Sequence, residues 1–382
     1  MVKKVSERKE ELISLRRFFH MNPEPSFCEF DTSKRVQQEL EDAGIPYVTA
    51  GTGIIGTIRG KKDKPVLALR ADMDALEITE KNDVPYKSQK DGLMHACGHD
   101  AHTAALVVAA KILNENRHEL DGTIKVIFQP AEEIGKGALS LIKSGNLNDA
   151  DAFFGIHVQP EIPFGKIELS SRAVMAGSSN LFIKVKGSGG HAAYPHECAD
   201  AIAAGAEIVS SLQQIVSREI SPTEPAVISI CQFHAGNRDN IIADEAVITG
   251  TVRVANEQTR KQITEAVKRV VHGISLARRV TSEVLCDPAT PVLYNSPELY
   301  PVAVSAANSV LKDSVLESKM RLGTEDMSRY SEIAPIFFAF VGVGTGRPLH
   351  HERFDIDENA LCVCAALHLE FAREYFKLKG GV

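Results

Sequence analysis

A chain of 382 residues is longer than one hydrophobic core ordinarily supports, so two domains are expected. Its composition, 44% hydrophobic and 24% charged with a net charge of -7, is that of an ordinary soluble globular protein. The absence of any basic cluster argues against nucleic acid, and the acidic balance argues against an anionic membrane surface. Seven cysteines without framework spacing fit a reducing interior. No window approaches the roughly eighteen apolar residues of a membrane span. A cytoplasmic location is therefore expected.

In chain order, residues 1–20 read as a charged amphipathic helix lacking the apolar core of a signal peptide. Short apolar runs at 66–69, 124–128, 152–156 and 336–341 read as buried strands of a parallel sheet. Helical patterns at 103–113 and 138–143 separate the first three, the alternation of an α/β/α sandwich. The middle third differs. A strand at 181–186 is followed by a helix at 199–217 and strands at 226–233 and 246–254. A helix then runs from Glu257 to about residue 275, N-capped by Asn256, and a strand covers 279–285. This order, βαββαβ, is that of a ferredoxin-like unit. The expected fold class is thus α/β, with a smaller ferredoxin-like domain at 178–288 inserted into a larger catalytic domain formed by 1–177 and 289–382. The segment 288–301, carrying four prolines, returns the chain to the larger domain.

The chemistry concentrates in His95-Ala96-Cys97-Gly98-His99-Asp100-Ala101-His102 and in the pair Glu132-Glu133. Sulfur, imidazole and carboxylate together are what a divalent transition metal selects. A second carboxylate beside the ligand suits a general base toward metal-activated water. Taken singly, each residue has a plain structural reading: a lone histidine at a strand end is usually hydrogen-bonded, and a Glu-Glu pair is usually a solvated face. Their joint placement is what points to a site. Asp72 and Asp74 follow the run ending at Arg70, Glu132 and Glu133 the run ending at Gln129-Pro130, and His157 the run 152–156. His350 lies in the loop after Val341, while Cys97 and His99 precede a helix. Open α/β sheets bind ligands beyond the carboxyl ends of their strands. By contrast, the glycine-rich stretch Gly187-Ser-Gly-Gly190 lacks the Lys-Ser/Thr of a phosphate-binding loop, and Gly342-Val-Gly-Thr-Gly346 reads as a turn.

With these motifs the chain resembles the M20 family of metallopeptidases, in its amidohydrolase branch of hippurate hydrolases, aminoacylases and indole-acetyl-amino-acid hydrolases. Arg70-Ala-Asp-Met-Asp-Ala-Leu76, the stretch Met94 through His102, and Gln129-Pro-Ala-Glu-Glu133 carry the resemblance. Gly189-Gly-His-Ala-Ala-Tyr-Pro-His196, Asn240-Ile-Ile-Ala-Asp244, Gly250-Thr-Val-Arg253, Thr324-Glu-Asp326 and Leu349-His350 extend it. The resemblance implies two divalent metal ions per subunit (Zn, Mn, Co or Ni) held by Cys97, His99, Glu133, His157 and His350, with Glu132 as general base. His350 rather than His351 is the implied ligand because it directly follows leucine. Asp74 would orient a ligand, and His95 and His102 would support the site or pack the helix. His191 is implied as an oxyanion partner reaching a neighbouring subunit, and Asn240 and Arg253 as the grip on a substrate carboxylate. A homodimer acting on small N-acyl amino acids is the implied assembly and substrate class. A dipeptidase or carboxypeptidase on the same scaffold is the alternative, and a non-catalytic binding protein a third reading. The chain departs from the family pattern at Glu77 and at Thr324-Glu-Asp-Met327, the latter expected to reshape the acyl pocket.

Overall fold

The computed structural model describes residues 2–380 and divides into two compact units. The first comprises Met1–Val174, Tyr294–Lys319 and Asp326–Val382. Its centre is an eight-stranded sheet in the order Tyr47–Ala50, Gly53–Arg59, Thr123–Gln129, Val66–Asp72, Ala152–Gln159, Ile336–Gly342, Ile167–Leu169, Val315–Glu317. The four strands predicted from apolar runs sit side by side, parallel, and buried along their whole length. That is how near-continuous Val, Ile, Leu and Phe sequences are accommodated beneath helices.

The sheet is mixed, however, not wholly parallel. Tyr47–Ala50 and Gly53–Arg59 form a hairpin antiparallel to Thr123–Gln129, and Ile167–Leu169 runs antiparallel to Ile336–Gly342. A two-residue turn at Gly51-Thr52, with Gly51 at φ +62, can join only antiparallel neighbours.

The N-terminal helix is also two helices, Val2–Glu7 and Lys9–Met21, broken at Arg8, with Met1 outside the described residues. The helix beginning at His99 runs to Glu115 and is buried for most of its length. Its small face of Ala101, Ala104, Ala105 and Ala109 accompanies close packing on Lys9–Met21 and Ala360–Gly380. Helix Ala360–Gly380 carries His368, fully buried, edge-on to Phe154 and without a hydrogen-bond partner among the described residues. Burial pushes this imidazole down to about 3, from an ordinary 6.5. Between those values the unfolded chain takes up a proton that the folded chain refuses, so stability falls as pH drops through 6.5. We expect His368→Leu to flatten the difference in urea midpoint between pH 7.5 and 4.5; an unchanged difference would mean the ring is protonated in the native state.

The second unit comprises Met175–Leu293 and Met320–Glu325. Its four-stranded antiparallel sheet has the order Ala226–Ala235, Glu245–Val254, Gly177–Lys186, Thr281–Thr290. Helices Ala201–Glu219 and Glu257–Arg278 share its core, built from Ile183, Ile208, Leu212, Ile248, Ile263 and Val267. The βαββαβ order is as read from the sequence. Asn256 caps its helix by accepting the Thr259 amide at 2.8 Å, and Asp200 caps the other. The last strand begins at Thr281 rather than 279, because Arg279 ends the preceding helix in the left-handed conformation at φ +59.

Candidate metal centre and active site

The four parallel strands of the first unit end at one edge, and the loops leaving that edge carry the reactive side chains. Donor atoms of Cys97, His99 and His157 lie within 4.8 Å of one another, as do those of Cys97, Glu133 and His350. The two groups share the Cys97 sulfur. A third such group joins His99 to Glu132 and Glu133. All five sequence-expected ligands and the expected base are thus brought together, although only His350 among the five is substantially exposed.

Local structure sets the direction of each donor. His99 Nδ1 donates to the Asp74 carbonyl at 2.9 Å and lies 3.3 Å from Asp74 Oδ1, so Nε2 is the nitrogen left to face Glu133. His157 Nδ1 is engaged by the Val158 carbonyl at 2.6 Å, turning its Nε2 to within 3.4 Å of Cys97 Sγ. His350 has φ +62, and its amide donates to the Ala96 carbonyl at 2.8 Å, tying its loop to the Cys97 loop. Strained backbone of this kind gathers where a side chain must be aimed. Gly98, between Cys97 and His99, also has φ +84, and a Cβ there would meet Val158 Cγ2 at 2.3 Å. We therefore expect Gly98→Ala to weaken divalent-metal affinity by about 10–100-fold, the range for disturbed ligand support. Metal titration of apo protein checks this, and an unchanged affinity would show that the loop adapts.

The residues fit a divalent metal on an observation independent of any motif. His99 Nε2 and Glu133 Oε1 are buried, have no hydrogen-bond partner among the described residues, and face each other at 3.9 Å. Burying such groups without a partner costs free energy that coordination would recover. Asp72, Asp74, Glu132 and Glu133 add an excess of negative charge. Burial opposes the charged form of His99, yet Asp72, Asp74 and Glu133 raise it to about 10. Burial likewise pushes Glu133 up to about 7, against the pull of His99. Burial opposes charge on Asp72 as well, but His99, Arg70 and His102 hold its carboxyl well below the usual range.

Several supporting residues had no role assigned from sequence. Asp72 accepts from His102 Nδ1 at 2.6 Å, while His102 Nε2 accepts the Val158 amide at 2.9 Å. Arg70 is fully buried, 2.7 Å from Asp72 and 3.2 Å from Asp326. Asp100 is clamped by Arg16 at 2.8 Å and His20 at 2.7 Å, which secures the first turn of the His99 helix. Nothing in local periodicity marks these partners, since all the pairs except Arg70–Asp72 are far apart in the chain. His95 is buried with neither ring nitrogen hydrogen-bonded among the described residues. Met327 is fully buried, and a Cβ on Gly155 would meet its sulfur at 2.4 Å, so its side chain packs against the strand Ala152–Gln159.

In the second unit, His191 and Asn240 are neighbours. His191 pairs with Ile241, and the Ala192 amide donates to the Asn240 carbonyl at 3.1 Å. Both residues are exposed. Arg253 is not beside them. It pairs with Val227 at the end of its strand remote from the Ala246–Ala235 pair that leads toward Asn240. Roughly 20 Å of strand lies between, at about 3.3 Å per residue. Burial lowers the Arg253 guanidinium from its ordinary value.

Residues 68–374 match peptidase family M20/M25/M40. An N-acetylcysteine deacetylase of Bacillus subtilis is 40% identical over 364 residues, covering 94% of this chain and 96% of the relative. Thermostable carboxypeptidase 2 of Saccharolobus solfataricus is 38% identical over 382 residues, with 97% of each chain covered. A solved Bacillus subtilis structure, described as a dinuclear metal binding peptidase from the M20 family, superposes with a TM-score of 0.89 at 36% identity, covering 97% of this chain and 99% of that one. The chain therefore belongs to peptidase family M20/M25/M40.

Proposed function

We propose that the protein is a metal-dependent amidohydrolase that cleaves N-acyl amino acids to a carboxylic acid and a free amino acid. The observation that carries this reading is the gathering of Cys97, His99, Glu133, His157 and His350 beside a second carboxylate, Glu132, on one turn. The five would hold two divalent ions, Zn, Mn, Co or Ni, the shared Cys97 sulfur suiting a paired site. Bound there, the ions would supply Lewis acidity, lowering the pKa of water and offsetting negative charge on the amide oxygen. Glu132 takes the proton of the attacking water and returns it to the departing amine nitrogen. Glu133 serves as ligand and is not available for that task. His191 donates to the oxyanion. Asn240 and Arg253 hold the substrate carboxylate, Arg253 by a bidentate pair. Their separation within one chain is met if a second copy completes the site, in keeping with a homodimer. Seven unpaired cysteines suit a reducing cytoplasm.

The carboxypeptidase relative keeps a second reading open, since the same water attack cleaves a peptide bond. A hydrolysis screen of metal-reconstituted protein against N-acetyl, N-benzoyl and aryl-acetyl amino acids and against unblocked dipeptides separates the two. We expect kcat/KM for an acylated amino acid to exceed that for any dipeptide by at least about tenfold, or 1.4 kcal/mol in transition-state binding. A dipeptide preference would establish the second reading.

A further inference from the structure

The turn that carries Glu132 and Glu133 is held by its backbone. Its three successive amides go to two buried carboxylates: Ala131 N–H to Glu29 Oε1 at 2.8 Å, Glu132 N–H to Asp74 Oδ1 at 3.1 Å, and Glu133 N–H to Asp74 Oδ2 at 3.0 Å. Asp74 belongs to the metal centre through His99. Glu29 belongs to none of the motifs, and nothing in its own helix needs its side chain. It precedes helix Phe30–Asp42 without capping it, because Glu24 accepts the first-turn amides of Asp31 at 3.1 Å and Thr32 at 2.8 Å.

Glu29 is nonetheless fully buried, and its hydrogen-bond partners, two backbone amides and a hydroxyl, are all uncharged. Burying a carboxylate without a counter-charge is costly unless its oxygens are well hydrogen-bonded. Here Oε1 accepts the Phe27 amide at 2.9 Å as well as that of Ala131, and Oε2 accepts the Thr52 hydroxyl at 2.6 Å. Both backbone partners sit in the left-handed region, Phe27 at φ +62 and Ala131 at φ +52, which non-glycine residues avoid unless neighbouring structure holds them there. The same oxygen therefore fixes two strained residues, one of them immediately before Glu132. Ser26, next to Phe27, donates to Asp74 Oδ2 at 2.6 Å, so loop and turn are locked to one another at both carboxylates.

We propose that Glu29 is a positioning residue for the reaction, holding Ala131 in the left-handed conformation that aims the Glu132 carboxylate. The inference rests on the assignment of Glu132 as base. A base displaced by about 1 Å loses on the order of 10²-fold in rate without losing substrate binding.

The test uses full-length, metal-reconstituted protein. Glu29→Met removes both acceptors at similar volume, Glu29→Gln keeps a carbonyl acceptor for the two amides, and Thr52→Val releases Oε2 alone. We expect Glu29→Met to lower kcat on the order of 10²-fold, with KM and metal content per folded chain unchanged. Glu29→Gln should recover most of that loss, and Thr52→Val should lower kcat severalfold. A wild-type kcat per folded molecule in Glu29→Met, or a Glu29→Gln variant no faster than Glu29→Met, would overturn the proposal. If Glu29→Met does not fold, a wild-type kcat in Thr52→Val does so instead. Glu132→Gln, run alongside, separates the two assignments. An active Glu132→Gln removes the base assignment, whereas an inactive Glu132→Gln beside an undisturbed Glu29→Met removes only the role of Glu29.

Discussion

Replacing Glu132 with glutamine is expected to lower kcat by about 10²–10⁴-fold while leaving metal content and KM near wild type. The amide keeps the size and most of the hydrogen bonding of the carboxylate but cannot take up the proton of water. Because Glu132 and Glu133 are adjacent and their amides are held by the two oxygens of Asp74, the turn keeps its shape in the variant. Glu133 stays within 3.9 Å of His99 Nε2 and 3.6 Å of His350 Nε2. Steady-state kinetics together with metal analysis of the same preparation check this. Loss of metal along with turnover would make Glu132 a ligand, and undiminished turnover would remove it from the mechanism.

Arg70→Met is expected to be the most destabilising single change at the site. The guanidinium is fully buried and bonds Asp72, Asp326 and the Gln129 side chain, the last at 3.0 Å. Gln129 in turn donates to Asp326 at 2.6 Å and accepts from the Tyr330 hydroxyl at 3.0 Å. Methionine would fill much of the space but take the guanidinium away from two buried carboxylates. Removing one partner of a buried pair costs about 3–5 kcal/mol, mostly as the penalty on the charge left behind. A fall in urea midpoint equivalent to that amount, followed by circular dichroism, is the expected result. A loss under about 1 kcal/mol, the size of an exposed pair, would mean that water reaches the cluster. The double variant Arg70→Met/Asp326→Asn should recover part of the loss, since one orphaned charge is then removed.

What the sequence disclosed follows from what each signal depends on. Strands such as Val66–Asp72 and Ile336–Gly342 are buried on both faces, so burial alone dictates their apolar runs. The half-exposed edge strand Tyr47–Ala50 and the three-residue strands Ile167–Leu169 and Val315–Glu317 carry too little pattern to be seen. The antiparallel hairpin beside the four parallel strands was missed for a related reason. Apolar content reports burial, whereas the antiparallel pairing of Gly53–Arg59 is set by a two-residue turn. At the site, the convergence of Cys97, His99, Glu133, His157 and His350 was legible because their donor types recur at strand ends. Glu29, Asp100 and Asp72 were not assigned roles, since their work is done through partners such as Ala131, Arg16 and His102, at sequence separations of 102, 84 and 30. A buried carboxylate that satisfies backbone amides has no compositional signature. Arg253 illustrates the converse, because its motif is plain while its place along the strand, remote from His191 and Asn240, appears only in three dimensions.

Anomalous scattering from crystals of protein loaded with Mn²⁺ or Zn²⁺ addresses the central claim most directly. Two peaks per chain are predicted, both bounded by Cys97, His99, Glu133, His157 and His350, with the Cys97 sulfur adjacent to each. Peaks elsewhere in the chain, or none among these five side chains at saturating metal, would contradict the account.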